Sequence, residues 1–137
     1  MDIRPLTPAY AVAPQIAPQD FSALAEAGYT TVICNRPDTE NPEELGSDAM
    51  AEAAASAGVD FHYVPVMNGA LGPEQVEAHR VLLDAASGPV FAYCRSGTRS
   101  SIIWALGQKG RMPTDEILSA AAGAGYDLSG LRGELDA

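Results

Sequence analysis

Seven consecutive residues hold most of the chemistry in this sequence: Cys94-Arg95-Ser96-Gly97-Thr98-Arg99-Ser100. A cysteine, a tight turn through Gly97 and then a helix start make a device for holding anions. Successive backbone N–H groups curl inward as a nest, and the helix N-terminus adds partial positive charge. Arg95 and Arg99, two of the chain's eight cationic residues, flank that concavity. In such a field Cys94 is expected as a thiolate near neutral pH, which is the reactive form. The same amides would cradle an oxyanion or a sulfane sulfur on Cys94. Arg99 leads into the helix and is the better choice for anion contact, with Arg95 placed less directly. Ser100 is expected either to hydrogen-bond the thiolate or to cap the helix. The bland alternative makes Cys94 a buried small hydrophobe and the arginines surface charges. It gives no reason for a glycine, two arginines and three hydroxyls within seven residues.

The elements that must position this loop alternate along the chain. Asp2 to Pro18 reads as irregular, with one short extended piece at Tyr10-Ala11-Val12. Pro18 pre-sets a helix through Ala27, with Gly28 as its stop. Thr30-Thr31-Val32-Ile33-Cys34 is short, β-branched and free of helical period, hence a buried strand. It ends in the polar turn Asn35-Arg36-Pro37-Asp38. Ser47 to Ala57 is an alanine-rich helix closed by Gly58. Phe61 to Val66 reads as a strand whose Pro65 argues for its end or for a sheet edge. Asn68-Gly69 turns the chain, and Pro73 to Ala86 is a helix with Val76, His79, Leu82 and Leu83 near one stripe. Pro89 to Tyr93 is the next strand, with Cys94 at its end, and a helix begins near Ser100. Thr114 is placed to cap a final clear helix. Such alternation predicts one α/β domain over residues 1–137, a mostly parallel central sheet flanked by helices on both faces. Ligands bind outside the carboxyl ends of such strands, where Asn35 to Asp38, Asn68-Gly69 and the Cys94 loop meet.

Composition limits the partners. The 137 residues are 47% hydrophobic and 19% charged, as expected of a globular domain rather than a disordered or fibrous chain. Eighteen acidic residues against eight basic ones give a net charge of −10, which disfavours binding to nucleic acid or anionic membranes. No apolar stretch is long enough to span a bilayer. Met1 to Asp20 has four prolines and no apolar h-region, so no secretory signal is expected. Two distant cysteines make no disulfide framework, and a reducing cytoplasm is the default. His62 and His79 belong to no ligand spacing, so no metal and no cofactor is expected. Trp104 reads as core. Cys34 ends its strand at the same sheet edge as Cys94. Were the two strands neighbours, it would have a route to resolving a persulfide or sulfenic acid, although a buried core thiol is the plainer reading.

Cys94 to Ser100 resembles the active-site loop of single-domain rhodaneses, the sulfurtransferases. Asn35-Arg36-Pro37-Asp38 and Ala124-Gly125-Tyr126-Asp127-Leu128 are similar to segments of the phosphatase-like domain of β-lactamase-hydrolase-like proteins, the DUF442 family. That resemblance covers nearly the whole chain and implies a fold of the dual-specificity cysteine-phosphatase type. It also implies accessory roles for Arg36 and Asp38, which ordinary turn chemistry would otherwise pair with one another. A link to sulfide oxidation follows from it as well, with a persulfide dioxygenase as partner.

Two chemistries share the thiolate. Cysteine phosphatases have Cys, five residues, then Arg. Here Arg99 follows Cys94 after four, and Ser100 stands where that arginine would be. A bidentate arginine contact depends on placement. A phosphatase also needs an acid for the leaving oxygen. Asn68 on the neighbouring loop cannot serve, which leaves Asp38 as the one nearby carboxyl to nominate. The expected function is therefore sulfur transfer: Cys94 takes sulfane sulfur from thiosulfate or a low-molecular-weight persulfide and passes it to a thiol acceptor. Phosphomonoester hydrolysis is the alternative, and a non-catalytic thiol or anion-binding module the third reading.

Overall fold

The computed structural model describes residues 1–137. Its centre is a five-stranded sheet in the order β1-β2-β5-β3-β4, formed by β1 (Arg4–Thr7), β2 (Tyr10–Ala13), β3 (Thr31–Cys34), β4 (Asp60–Tyr63) and β5 (Val90–Tyr93). β2, β5, β3 and β4 run parallel, and β1 is antiparallel at one edge. The predicted α/β architecture is present. β3 and β5 are fully buried, β-branched and aromatic runs, the pattern of parallel strands covered on both faces. β4 closes the opposite edge and is half exposed, and Pro65 falls just beyond it, where a missing N–H interrupts no ladder.

Side-chain alternation divides the core in two. Val32, Cys34, Phe91 and Tyr93 face α1 (Phe21–Glu26) and α2 (Ser47–Ala57), together with Phe21, Leu24, Met50 and Ala54. Val12, Ile33, Val90 and Ala92 lie in the other layer with Trp104, Ala105, Ile117 and Leu135. That layer is built by α3 (Pro73–Ala85), α4 (Thr98–Gly107), α5 (Thr114–Gly123) and α6 (Arg132–Asp136). Tyr10 stacks on Trp104 with ring centroids 5.8 Å apart, so Trp104 is core as expected.

Several boundaries differ from the sequence reading. The opening segment is not irregular: Arg4 to Thr7 pairs antiparallel with Tyr10 to Ala13, and prolines at Pro5 and Pro8 disguise the pattern. Pro18–Asp20 is a 3-10 turn leading into α1. α4 starts at Thr98, two residues earlier than expected, because Gly97 supplies the left-handed turn before it. Thr114 is the first helical residue of α5 rather than its cap, its hydroxyl donating to Asp136 (2.6 Å), and α6 follows as a further helix.

Candidate active site

Asn35 organises the carboxyl edge of the sheet. It is completely buried just after β3, and each of its polar atoms makes a hydrogen bond. Its N–H donates to Tyr93 O (2.8 Å), its carbonyl accepts from Val66 N–H (2.9 Å) and its side-chain amide donates to Val64 O (2.9 Å). Its remaining side-chain oxygen accepts from the Ser100 hydroxyl (2.8 Å). This corrects the reading of Ser100, which neither caps α4 nor touches the thiolate. It sits buried in the helix's first turn and ties α4 to β3. Replacing it with alanine would orphan a buried acceptor, a loss of about 1–3 kcal/mol.

Cys94 follows β5 and is 1% exposed. Its N–H donates to Ala13 O (3.4 Å), and its Sγ accepts the Gly97 N–H at 3.1 Å. Gly97 has φ +93°, which turns the chain back over the sulfur and favours a residue without Cβ. A Cβ there would also run into the Tyr126 hydroxyl, which itself donates to Ser96 O (2.9 Å). Of the loop amides expected to converge, the Gly97 N–H points at the sulfur and the Thr98 N–H goes to Ser96 Oγ, and the loop is held from outside by a residue 30 positions away in the chain. Ser96 and Thr98 are exposed and bond to one another: the Thr98 N–H donates to Ser96 Oγ (3.3 Å) and the Ser96 hydroxyl to Thr98 Oγ1 (3.0 Å).

Arg99 does not stand free for an incoming anion. Its guanidinium is clamped by Glu40 through two charge-assisted bonds of 2.8 and 2.9 Å, and it donates also to Val66 O (2.8 Å). Glu40 in turn meets Arg36, whose Nε lies 3.4 Å from Glu40 Oε1 and whose other nitrogens donate to Glu40 O (3.0 Å) and Gln15 Oε1 (3.3 Å). Arg99, then Arg36, hold the Glu40 carboxyl below its ordinary range. Glu40, and next the nearby Cys94 sulfur, raise the Arg99 guanidinium. Sequence reasoning missed Glu40. Its one local signal is the i, i+4 spacing from Arg36; the decisive partner, Arg99, is 59 residues away.

The other nominated residues are placed as follows. Arg36 and Asp38 do not pair. Asp38 accepts from the Ser47 N–H (2.8 Å) on one carboxylate oxygen and from its hydroxyl (2.6 Å) on the other, which holds the start of α2. Asn68 is exposed on the loop after β4. Arg95 is exposed too, and of the three arginines around the loop it alone makes no ion pair. Cys34 is registered opposite Tyr93 on the neighbouring strand and packs on the α1–α2 face. Its thiol donates to Arg36 O at 3.4 Å, and burial raises its pKa. A cleft of about 460 Å3 opens beside the Cys94 loop, walled by Val66, Met67, Ile102 and Leu106, with Arg95 and Arg99 at the loop end. No three His, Cys, Asp or Glu side chains stand close enough together to hold an ion, and no helix is long and apolar enough to cross a membrane.

Residues 2–111 match the model of the beta-lactamase hydrolase-like protein, phosphatase-like domain family. The chain belongs to this family. The Beta-lactamase hydrolase-like protein of Xylella fastidiosa is 33% identical over 120 residues, which are 86% of this chain but 28% of that protein. The chain therefore spans less than a third of the curated relative's length. A crystal structure from Neisseria meningitidis, named only provisionally as a phosphatase, superposes with a TM-score of 0.85 at 37% identity, covering 99% of this chain and 97% of that one. The kinase associated phosphatase, with its catalytic cysteine substituted by serine, gives a TM-score of 0.74 at 11% identity over 98% and 90% of the two chains. The fold is that of the cysteine phosphatases. Kinship by itself favours phosphoester chemistry over sulfur transfer.

Proposed function

We propose that this phosphatase-like scaffold carries out sulfur transfer through a Cys94 persulfide. Fold does not decide between the chemistries, because function resides in the site. The observation that carries this reading is the Glu40 clamp on Arg99. Around the cleft the three positive charges of Arg36, Arg95 and Arg99 meet the two carboxylates of Glu40 and Glu134, a surplus of one. A monoanionic persulfide fits that surplus, whereas a phosphomonoester dianion asks for a larger one and a well-aimed arginine fork. Transfer between thiolates needs no proton donor, and both oxygens of Asp38 are already engaged by Ser47.

In the proposed first half-reaction, Cys94 thiolate attacks the sulfane sulfur of the donor. The new S–S bond forms as the donor's own sulfur bond breaks. Thiosulfate leaves as sulfite, or a low-molecular-weight persulfide leaves as its thiolate, and no external oxidant or reductant is consumed. The Gly97 N–H and the Arg99 guanidinium steady the negative sulfur. An acceptor thiolate then attacks the outer sulfur and regenerates Cys94. The apolar walls of the cleft suit the organic persulfide better than thiosulfate. On this reading a persulfide dioxygenase is the partner that consumes the sulfur, within a reducing cytoplasm.

Family membership and fold favour a second reading, in which Cys94 attacks phosphorus and a phosphocysteine is hydrolysed. With Asp38 bound to Ser47, Glu134, which lines the same cleft, is the carboxyl to supply an acid, and without one the route is confined to good leaving groups such as arylphosphates. The test is steady-state kinetics with donor and acceptor both varied, beside arylphosphate hydrolysis by the same preparation. Parallel double-reciprocal lines for sulfur transfer, with negligible arylphosphate turnover, support the proposal. Cys94-dependent arylphosphate hydrolysis without sulfur turnover overturns it in favour of the second reading.

A further inference from the structure

The bond from Tyr126 to Ser96 O and the bond from Gly97 N–H to Cys94 Sγ engage the two ends of one peptide group. On one side the Tyr126 hydroxyl donates to the carbonyl at 2.9 Å; on the other, the N–H of the same peptide donates to the sulfur at 3.1 Å. We infer that Tyr126 is a positioning residue that locks the Ser96–Gly97 peptide with its N–H toward the nucleophile. Rotation of that peptide would aim a carbonyl oxygen at the sulfur, replacing a bond that favours the thiolate by a repulsion that disfavours it. The lock also polarises the peptide, since a carbonyl that accepts a bond strengthens the donor at its other end.

Three further observations support this assignment. Gly97 at φ +93° is the residue about which such a peptide turns most readily, so an external restraint has something to restrain. The Tyr126 hydroxyl occupies the space over Gly97 where a Cβ would stand, so packing and hydrogen bonding act at the same point. Tyr126 is itself held, since the Arg4 guanidinium lies 5.4 Å over its ring and donates to Ala124 O (3.4 Å). Burial raises the Tyr126 pKa and keeps the phenol protonated as a donor. An antiparallel edge strand and the segment after α5 thereby reach the active-site loop.

The assignment holds whether Cys94 takes sulfur or phosphoryl, and its test uses neither. The titratable groups whose charge couples to Cys94 are Tyr10 from β2, Cys34 from β3, Arg99 from α4 and Tyr126 itself, with Glu40 and Arg36 acting through Arg99. The experiment is the pH profile of Cys94 alkylation by iodoacetamide, in a Cys34→Ala background, with and without Tyr126→Phe. Phenylalanine keeps the ring over Gly97 and removes only the donated bond. The expected result is an alkylation rate about threefold lower at pH 7, with the half-maximal point displaced to higher pH, from loss of one bond's support to the charged form. Arg4→Gln, which loosens Tyr126 without removing its hydroxyl, should give a smaller displacement in the same direction. It also keeps the test decisive should Tyr126→Phe fail to fold. An unchanged profile in a folded variant overturns the assignment and reduces Tyr126 to packing.

Discussion

The two cysteines lie at the carboxyl ends of adjacent parallel strands, with Cys34 registered against Tyr93 and Cys94 one residue further on. Both are almost completely buried. Their hydrogen bonds run in opposite senses: Cys34 donates to a carbonyl, Arg36 O, whereas Cys94 accepts from an amide, Gly97 N–H. The carbonyl partner holds a proton on the Cys34 sulfur, whereas the amide partner leaves the Cys94 sulfur in the role of acceptor. Side-chain alternation produces the difference. Cys34 is still within its strand and points into the α1–α2 core, while Cys94 has left the sheet and belongs to a loop that leads into a helix. Burial alone therefore does not separate an inert thiol from a nucleophile. The sense of the hydrogen bond does.

The largest effect that would sharpen this contrast is loss of the nucleophile. Cys94→Ser should lower turnover by more than about 1,000-fold, read as steady-state sulfur transfer, and residual activity above that level would break the comparison. Next is the scaffold behind α4, on which the Cys94 loop rests. The Tyr10 hydroxyl donates to Ser100 O (2.8 Å) and lies 3.0 Å from His79 Nε2, which must then be the protonated nitrogen. Burial drives the His79 pKa down to about 3 from 6.5. The unfolded chain thus binds the proton more tightly, and stability is full above pH 6.5 and declines as pH falls toward 3. Urea unfolding should show about 2 kcal/mol less stability at pH 5 than at pH 8 from this residue, and His79→Gln should flatten that slope.

A smaller effect is expected at the clamp. Glu40→Gln keeps the shape but removes the charge facing Arg99, and sulfur transfer should fall about tenfold. A gain in arylphosphate hydrolysis in the same variant would show that Glu40 withholds the arginine from phosphate. The depressed Glu40 carboxyl makes the clamp complete above its ordinary value of 4.5 and lost as pH falls through the lower folded value. Wild-type rates should therefore carry no Glu40 limb above pH 4.5. The smallest effect belongs to Cys34→Ala, which should cost about 1 kcal/mol of stability through a small core void. It should leave turnover within about twofold, and a larger fall would mean that Cys34 exchanges sulfur with Cys94 after all.

The alternation of strand and helix was legible because β3 and β5 are continuous apolar runs and because α1 and α2 stop at Gly28 and Gly58. The loop was legible because Gly97 and two arginines follow a cysteine at a strand's end. β1 escaped because prolines interrupt a four-residue edge strand, and edge positions demand no apolar face. Glu40 and Tyr126 escaped for a different reason. Each acts on the loop across a large separation in sequence, and the only local mark on Glu40 is its i, i+4 spacing from Arg36, which does not point to Arg99. Asp38 shows the converse, since a motif position that suggested an acid instead holds the start of a helix.

The most direct test of the central claim is the intact mass of the reduced protein after brief exposure to glutathione persulfide, beside Cys94→Ser. The account predicts a gain of one sulfur atom on the wild type alone, removed by cyanide or an acceptor thiol. A wild type that gains no sulfur, yet forms a Cys94-dependent phosphoryl adduct with an arylphosphate, would contradict it.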